Sequence, residues 1–296
     1  MSLKNQKLLS YTIENDSKSV SVISDFYVPF EPKKSNIEIR EKVISLREDI
    51  KSSIKKLVVK DDEILLASYS EMDKNRFYDV ENMLFYNIGT STFSKCCKNQ
   101  IAFIGDEERF SQNKDNATNI DSKCFYNYKV VKTNEIYNLI NDKNILAHWE
   151  ELDIDLKIPQ SAMRYYSAIR ENANNINIKQ GFDKNFKLFG MKIEITMPNE
   201  NLPASIMKPM LDGLICAFHG EQGKTQETLN LMFGNCIRQK YGNNNNLNIF
   251  GNRQYVDTYR GNNSFKWNPE DERLQFAWIT VRKGNKAKLS GKIYEW

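Results

Sequence analysis

Histidine is almost missing from this chain, with His148 and His219 as its only two copies, and cysteine is sparse. The five cysteines (Cys96, Cys97, Cys124, Cys216, Cys236) form no CxxC pair and no Cys/His zinc spacing. That excludes the common structural zinc folds. An odd number of thiols, two of them adjacent, also argues against a disulfide framework, so reduced structural thiols are expected. No run approaches the roughly 18–20 apolar residues of a membrane helix. The opening segment MSLKNQKLLSYTIEND is polar and lacks the apolar centre of a secretion signal. A cytoplasmic location without membrane association is expected.

Charge of one sign is also lacking. Forty-two basic residues against 38 acidic ones leave a net charge of +4, too little to imply nucleic acid by itself. Asn, Lys and Ile are abundant, which points to an AT-rich genome and a bacterial source and weakens any argument from lysine counts. What is present is ordinary globular material. With 40% hydrophobic residues over 296 positions, the chain can bury a sizeable core in one large domain or two modest ones.

Periodicity gives the outline. Ser35-x-x-Glu38 reads as a capping box, and Ile39, Val43, Leu46, Ile50 and Ile54 recur at helical spacing, predicting a helix over 36–57. Strand patterns fall at 20–30, 63–68, 100–104, 124–131, 186–197, 248–255, 274–282 and 289–296. Helices are expected at 133–141, 160–174, 205–219 and 225–240, with loops at 106–122 and 242–246. The alternation lacks a regular βα rhythm, so the expected class is α+β with a mixed or mainly antiparallel sheet packed with helices. An N-terminal half over 1–180 and a C-terminal half over 181–296 are expected, or one continuous domain. Asp79–Phe85 and Asp212–Phe218 hint at related halves, since each puts an acidic residue near an apolar run after a strand.

The segment PASIMKPMLDGLICAFHGEQG (203–223) carries Lys208, Asp212 and His219 along one edge of an apolar helix at i, i+4 and i+11. A carboxylate and an imidazole on a partly buried stripe suit acid/base work or a divalent metal. The plainer reading is a Lys–Asp helix pair, with His219 at the C-terminal turn and Gly220 ending the helix. In the second segment, Arg76 to Asn87, Asp79 and Glu81 stand beside two carboxamides, a set that suits an oxygen-ligand site of the Mg²⁺ type. The competing reading has Asp79 capping a short helix whose Leu84 and Phe85 enter the core.

Asp79-Val80-Glu81-Asn82-Met83-Leu84 resembles the Asp-x-Asp-Asn-Leu motif of Holliday-junction resolvases of the RusA type. Lys208-Pro209-Met210-Leu211-Asp212-Gly213-Leu214 is similar to the Lys-x-x-Leu-Asp-x-Leu that follows it in that family. The resemblance implies metal ligation by Asp79 and Glu81 with Mg²⁺ as cofactor, and Lys208 and Asp212 as supporting groups in phosphodiester cleavage. Glu81 replaces an Asp, the chain is longer than the family's, and over a hundred residues separate the two pieces.

Gly223-Lys224-Thr225 is not a phosphate loop. Phe218 stands where a Walker A motif needs its first Gly, and a helix precedes the triplet where a strand is required. Residues 253–267 interleave charge and rings (Arg253, Tyr255, Tyr259, Arg260, Lys266, Trp267), the composition of a surface that stacks bases and meets phosphates. Arg282, Lys283, Lys286, Lys288 and Lys292 extend the positive run. A half-buried strand and a solvated hairpin explain the same residues, and His148 beside Trp149 reads as a packed residue. The expectation is a protein acting on nucleic acid as a divalent-metal phosphodiesterase, with Asp79, Glu81 and Asp212 as ligands. The alternative is a non-enzymatic module that binds nucleic acid or protein through 253–267, and a small-molecule enzyme using His219 is a third reading.

Overall fold

A computed structural model describes residues 10–29, 37–71, 79–105, 124–158, 160–181, 188–198, 203–233, 247–258 and 265–296. The chain divides into two compact units, Met1–Ile136 and Tyr137–Trp296. The sequence-based boundary at 180 falls inside the second unit, because the strand at Ile145–Asp153 pairs with the last strand of the chain. The fold class is α+β.

In the first unit, β1 (Tyr11–Asn15) and β2 (Ser19–Ser24) form a hairpin, followed by α1 (Ile37–Ile54) and β3 (Glu63–Glu71). A crossover leads to β4 (Gln100–Gly105), and β5 (Cys124–Lys132) closes the unit. The sheet order is β1-β2-β5-β3-β4, antiparallel except for the parallel pair β3/β4. Val43, Leu46, Ile50 and Ile54 recur every three or four residues, so α1 presents one apolar stripe to the core. The central β3 is buried almost throughout, as a strand covered on both faces must be. Phe85, Phe93, Phe103 and Tyr128 fill the core beside it, with Phe85 and Phe93 meeting edge to face at 4.8 Å.

α2 (Thr133–Ile140) runs across the division between the units. The second unit continues with β6 (Ile145–Asp153), α3 (Ser161–Glu171), β7 (Asn177–Ile178), β8 (Phe189–Met197) and α4 (Pro203–Ala217). Next come β9 (Gly220–Glu221), α5 (Thr225–Phe233), β10 (Asn252–Arg253), β11 (Val256–Thr258) and β12 (Phe265–Trp267). β13 (Leu274–Lys283) and β14 (Lys288–Glu295) end the chain. The main sheet here is β13-β8-β14-β6-β7, with β13/β8 parallel and the rest antiparallel. β8 alternates as its sequence promised: Met191, Ile193 and Ile195 are buried while Lys192, Glu194 and Thr196 are half-exposed.

The two units share one arrangement of four strands. The first reads β2, α1, β3, a connection with π- and 3₁₀-helical turns, β4, β5, and the second β6, α3, β8, α4, β13, β14. In each, the strands lie in the spatial order first, fourth, second, third, and only the second and third run parallel. Asp79–Phe85 and Asp212–Phe218 both fall in the connection between the two parallel strands.

Other expectations shift. The strand expected over 248–255 shrinks to Asn252–Arg253, because Asn248 Oδ1 accepts from the Gly251 N–H at 2.8 Å and Gly251 takes φ +88°, making a turn. The lead strand ends at Ser24, whose hydroxyl donates to the Phe26 carbonyl at 2.7 Å. Ser35, the 106–122 and 242–246 segments, Cys236 and the end of the expected 225–240 helix lie outside the described residues.

Candidate functional site

α4 begins at Pro203, whose fixed φ and missing N–H suit a first helical position, and buries Met207, Met210, Leu211, Leu214 and Ile215. Its polar edge carries Lys208 and Asp212, one turn apart. Lys208 Nζ lies 3.3 Å from Asp212 Oδ1 and 2.6 Å from Asp271 Oδ2. Asp271 comes from the 3₁₀ turn Asp271–Arg273 that immediately precedes β13. The same turn extends the ionic array: Glu270 pairs with Arg253 at 3.3 Å and with Arg273, and Glu272 lies 3.5 Å from Arg253. Among the described residues, four carboxylates (Asp212, Glu270, Asp271, Glu272) and three cations (Lys208, Arg253, Arg273) meet in this array.

Asp212 is the strained member. Burial pushes its carboxyl up to about 6; Lys208 opposes the shift and the nearby Asp271 carboxylate adds to it. Its Oδ1 is buried and makes no hydrogen bond, although it stands at ion-pair distance from Lys208. Two hard carboxylates with an orphaned oxygen fit Mg²⁺, which takes one or two protein carboxylates and keeps several waters. Among the described residues, no group of three or more His, Cys, Asp or Glu side chains gathers as a fuller metal cage would require.

His219 does not share the edge. α4 ends at Ala217, so the helical spacing that aligned His219 with Asp212 stops before reaching it. The ring is fully buried, packs beside Phe250 and Tyr255, and faces the Gly251 carbonyl through Nδ1 at 3.3 Å. Burial pushes its pKa down to about 4, the Glu270 carboxylate opposing, so it is a neutral core imidazole at pH 7. The buried Arg170 donates to the His219 carbonyl and lies over the Tyr166 ring.

Asp79 and Glu81 belong to the first unit, Lys208 and Asp212 to the second, and each pair is built by its own unit's elements. Asp79 Oδ1 accepts from the Asn82 N–H at 3.0 Å and Oδ2 from the Asn82 carboxamide, so both oxygens cap the turn that follows. That turn, Asn82–Tyr86, is a π-helix closed by the Asn87 N–H on the Asn82 carbonyl at 2.9 Å. Glu81 is buried at its start. The capping reading therefore accounts for Asp79, and Leu84 and Phe85 do enter the core. Arg76 to Tyr78 lie outside the described residues.

The 253–267 residues do not form one solvent-facing surface. Tyr255 is fully buried with its hydroxyl 2.9 Å from that of Tyr166, and its ring is not available to stack a base. Trp267 is half-buried, its ring centre 5.4 Å from that of Tyr166, and Arg253 is held in the ionic array. Lys266 is exposed; Tyr259 and Arg260 lie outside the described residues. Sequence reasoning missed Asp271 and Glu270. The run Glu270-Asp271-Glu272 directly before a strand was the available signal.

No protein-family model, characterised protein or solved structure matches the chain. Among the described residues, no helix is long and apolar enough to cross a membrane.

Proposed function

We propose that the protein acts on nucleic acid, and that the Lys208–Asp212–Asp271 cluster of the second unit is a divalent-metal phosphodiesterase centre. The observation that carries the reading is Asp212: a half-buried carboxylate whose desolvated Oδ1 meets the Lys208 ammonium at 3.3 Å, with the Asp271 carboxylate beside the same ammonium. Asp212 and Asp271 would hold Mg²⁺, whose chemistry is to polarise a phosphoryl oxygen and generate a hydroxide nucleophile. Lys208, already between the two carboxylates, would release them and meet the negative charge that develops on phosphorus. The likeness of Lys208–Leu214 to the RusA-type motif supports the same roles for Lys208 and Asp212. The reading does not need Asp79 or Glu81.

The test is cleavage of labelled single-stranded, duplex and four-way-branched DNA by the full chain, in Mg²⁺ and in EDTA. The expected result is Mg²⁺-dependent cleavage of at least one substrate, reduced by about 100-fold or more in Asp212→Asn and Asp271→Asn. Cleavage of none of them removes the enzyme reading.

A further inference from the structure

The second unit's sheet has one face whose residues are charged in an uneven way. α4 and the residues after it cover the opposite face, where Trp149 packs on Phe218 with ring centres 5.4 Å apart. On the other face, pairing registers put Trp278 beside Lys192, Lys192 beside Lys292, and Lys292 beside His148, one residue from each of β13, β8, β14 and β6. Two lysines directly opposite each other on neighbouring strands repel, an arrangement that costs stability. Further along the same face Lys288 is matched by Asp153 at 2.8 Å, whereas Lys192, Arg282 and Lys292 all act on Glu194: it is 2.9 Å from Lys192 and 3.4 Å from Arg282, and its carboxyl is held low first by the Lys192 hydrogen bond, with Arg282 and Lys292 contributing. Among the described residues, these three cations thus share one carboxylate. Beside the row, Lys192 Nζ lies 4.8 Å from the centre of the Trp278 ring and 5.2 Å from that of Tyr137, and Tyr137 is 50% exposed.

We propose that this face of the second unit, through Lys192, Lys292, Arg282, His148 and Tyr137, is a binding surface for the backbone and bases of single-stranded nucleic acid. The proposal rests on the nucleic-acid reading above but not on catalysis. Charge complementarity names the partner's sign, and geometry its class. Strands about 4.8 Å apart make the Lys192–His148 row about 10 Å long, which spans about three phosphates of a stacked strand at about 3.4 Å each. An aromatic ring half in solvent beside cations gives a base something to stack on. An anionic lipid surface shares the charge but offers no flat π-face for the ring to stack on, and the vesicle comparison separates the two.

The test is fluorescence anisotropy of the full chain with a labelled single-stranded oligonucleotide in EDTA, over a series of salt concentrations, so that binding is read without cleavage. The expected result is salt-sensitive binding whose log–log slope falls by about 0.7 for each cation removed in Lys292→Gln and Arg282→Gln. Tyr137→Leu should weaken binding about five-fold or more with little change in slope. Lys157→Gln, an exposed lysine of the same unit, should leave both unchanged. Thermal melts of each variant exclude misfolding as the cause. Absence of binding at low salt overturns the proposal, as do variants indistinguishable from Lys157→Gln. So does binding to phosphatidylserine vesicles without binding to the oligonucleotide. Binding with these signatures in a protein that cleaves nothing supports this face and removes the phosphodiesterase. Cleavage that survives loss of the face does the reverse.

Discussion

Gly213 of α4 packs so closely on Ala162 of α3 that a methyl group at position 213 would come within 2.1 Å of the Ala162 carbonyl oxygen. The atom it would strike is backbone and cannot rotate away. Gly213→Ala gains about 1 kcal/mol in helix propensity but overpacks this contact by up to about 3 kcal/mol. The clash wins, and thermal denaturation should show a net loss of roughly 2 kcal/mol. A variant as stable as the parent would mean the helices can separate freely.

Asp212 should weaken the folded state as pH rises. Its folded pKa, about 6, lies above the ordinary Asp value of 3.8, so between those values the folded chain binds the extra proton. Stability is therefore greatest below about 4 and falls until about 6. Relative to Asp212→Asn, the parent should lose on the order of 2 kcal/mol between pH 4 and pH 7 in urea titrations. Equal pH dependence of the two proteins would contradict a carboxyl whose desolvation outweighs its Lys208 pairing.

His219 acts with the opposite sign. Its folded pKa is depressed from 6.5 to about 4, so its contribution is present above 6.5 and is lost as pH falls towards 4. His219→Gln is expected to abolish an acid-induced loss on the order of 3 kcal/mol, read as the slope against pH rather than as absolute stability. The two groups offset each other between pH 4 and 6. Each effect is visible only when the other group is kept intact and its own variant is compared.

Tyr128→Phe tests the π-helical turn of the first unit. The buried Tyr128 hydroxyl donates to the Leu84 carbonyl at 2.8 Å. Removing it leaves that carbonyl without the bond, at a cost of roughly 1–2 kcal/mol in chemical denaturation. A change under a few tenths of a kcal/mol would show that another donor takes its place.

What could be seen in the sequence was whatever kept a clean period. α1, β8, β13 and β14 announce themselves because their apolar residues recur without interruption. β6 did not, for a geometric reason. Its pairing with β14 shifts register twice, between Leu289 and Gly291 and between Ile293 and Tyr294, and Glu151 takes φ +54°, so the alternation of Leu146, Trp149 and Leu152 is broken. The site was half visible. Lys208 and Asp212 are joined by helical spacing, but Asp271 is 63 residues from Lys208 and no spacing rule connects them. His219 was aligned by extending a helix past its end. Tyr255 shows that interleaved charge and rings do not reveal which rings turn inward.

The doubled four-strand arrangement has a meaning beyond architecture. Two copies of one topology in a single chain are what duplication and fusion of a shorter ancestral gene would leave, and redundancy of that kind frees one copy to drift. Here the connection between the parallel strands carries the lysine and aspartate in the later copy and a capped π-helical turn in the earlier one.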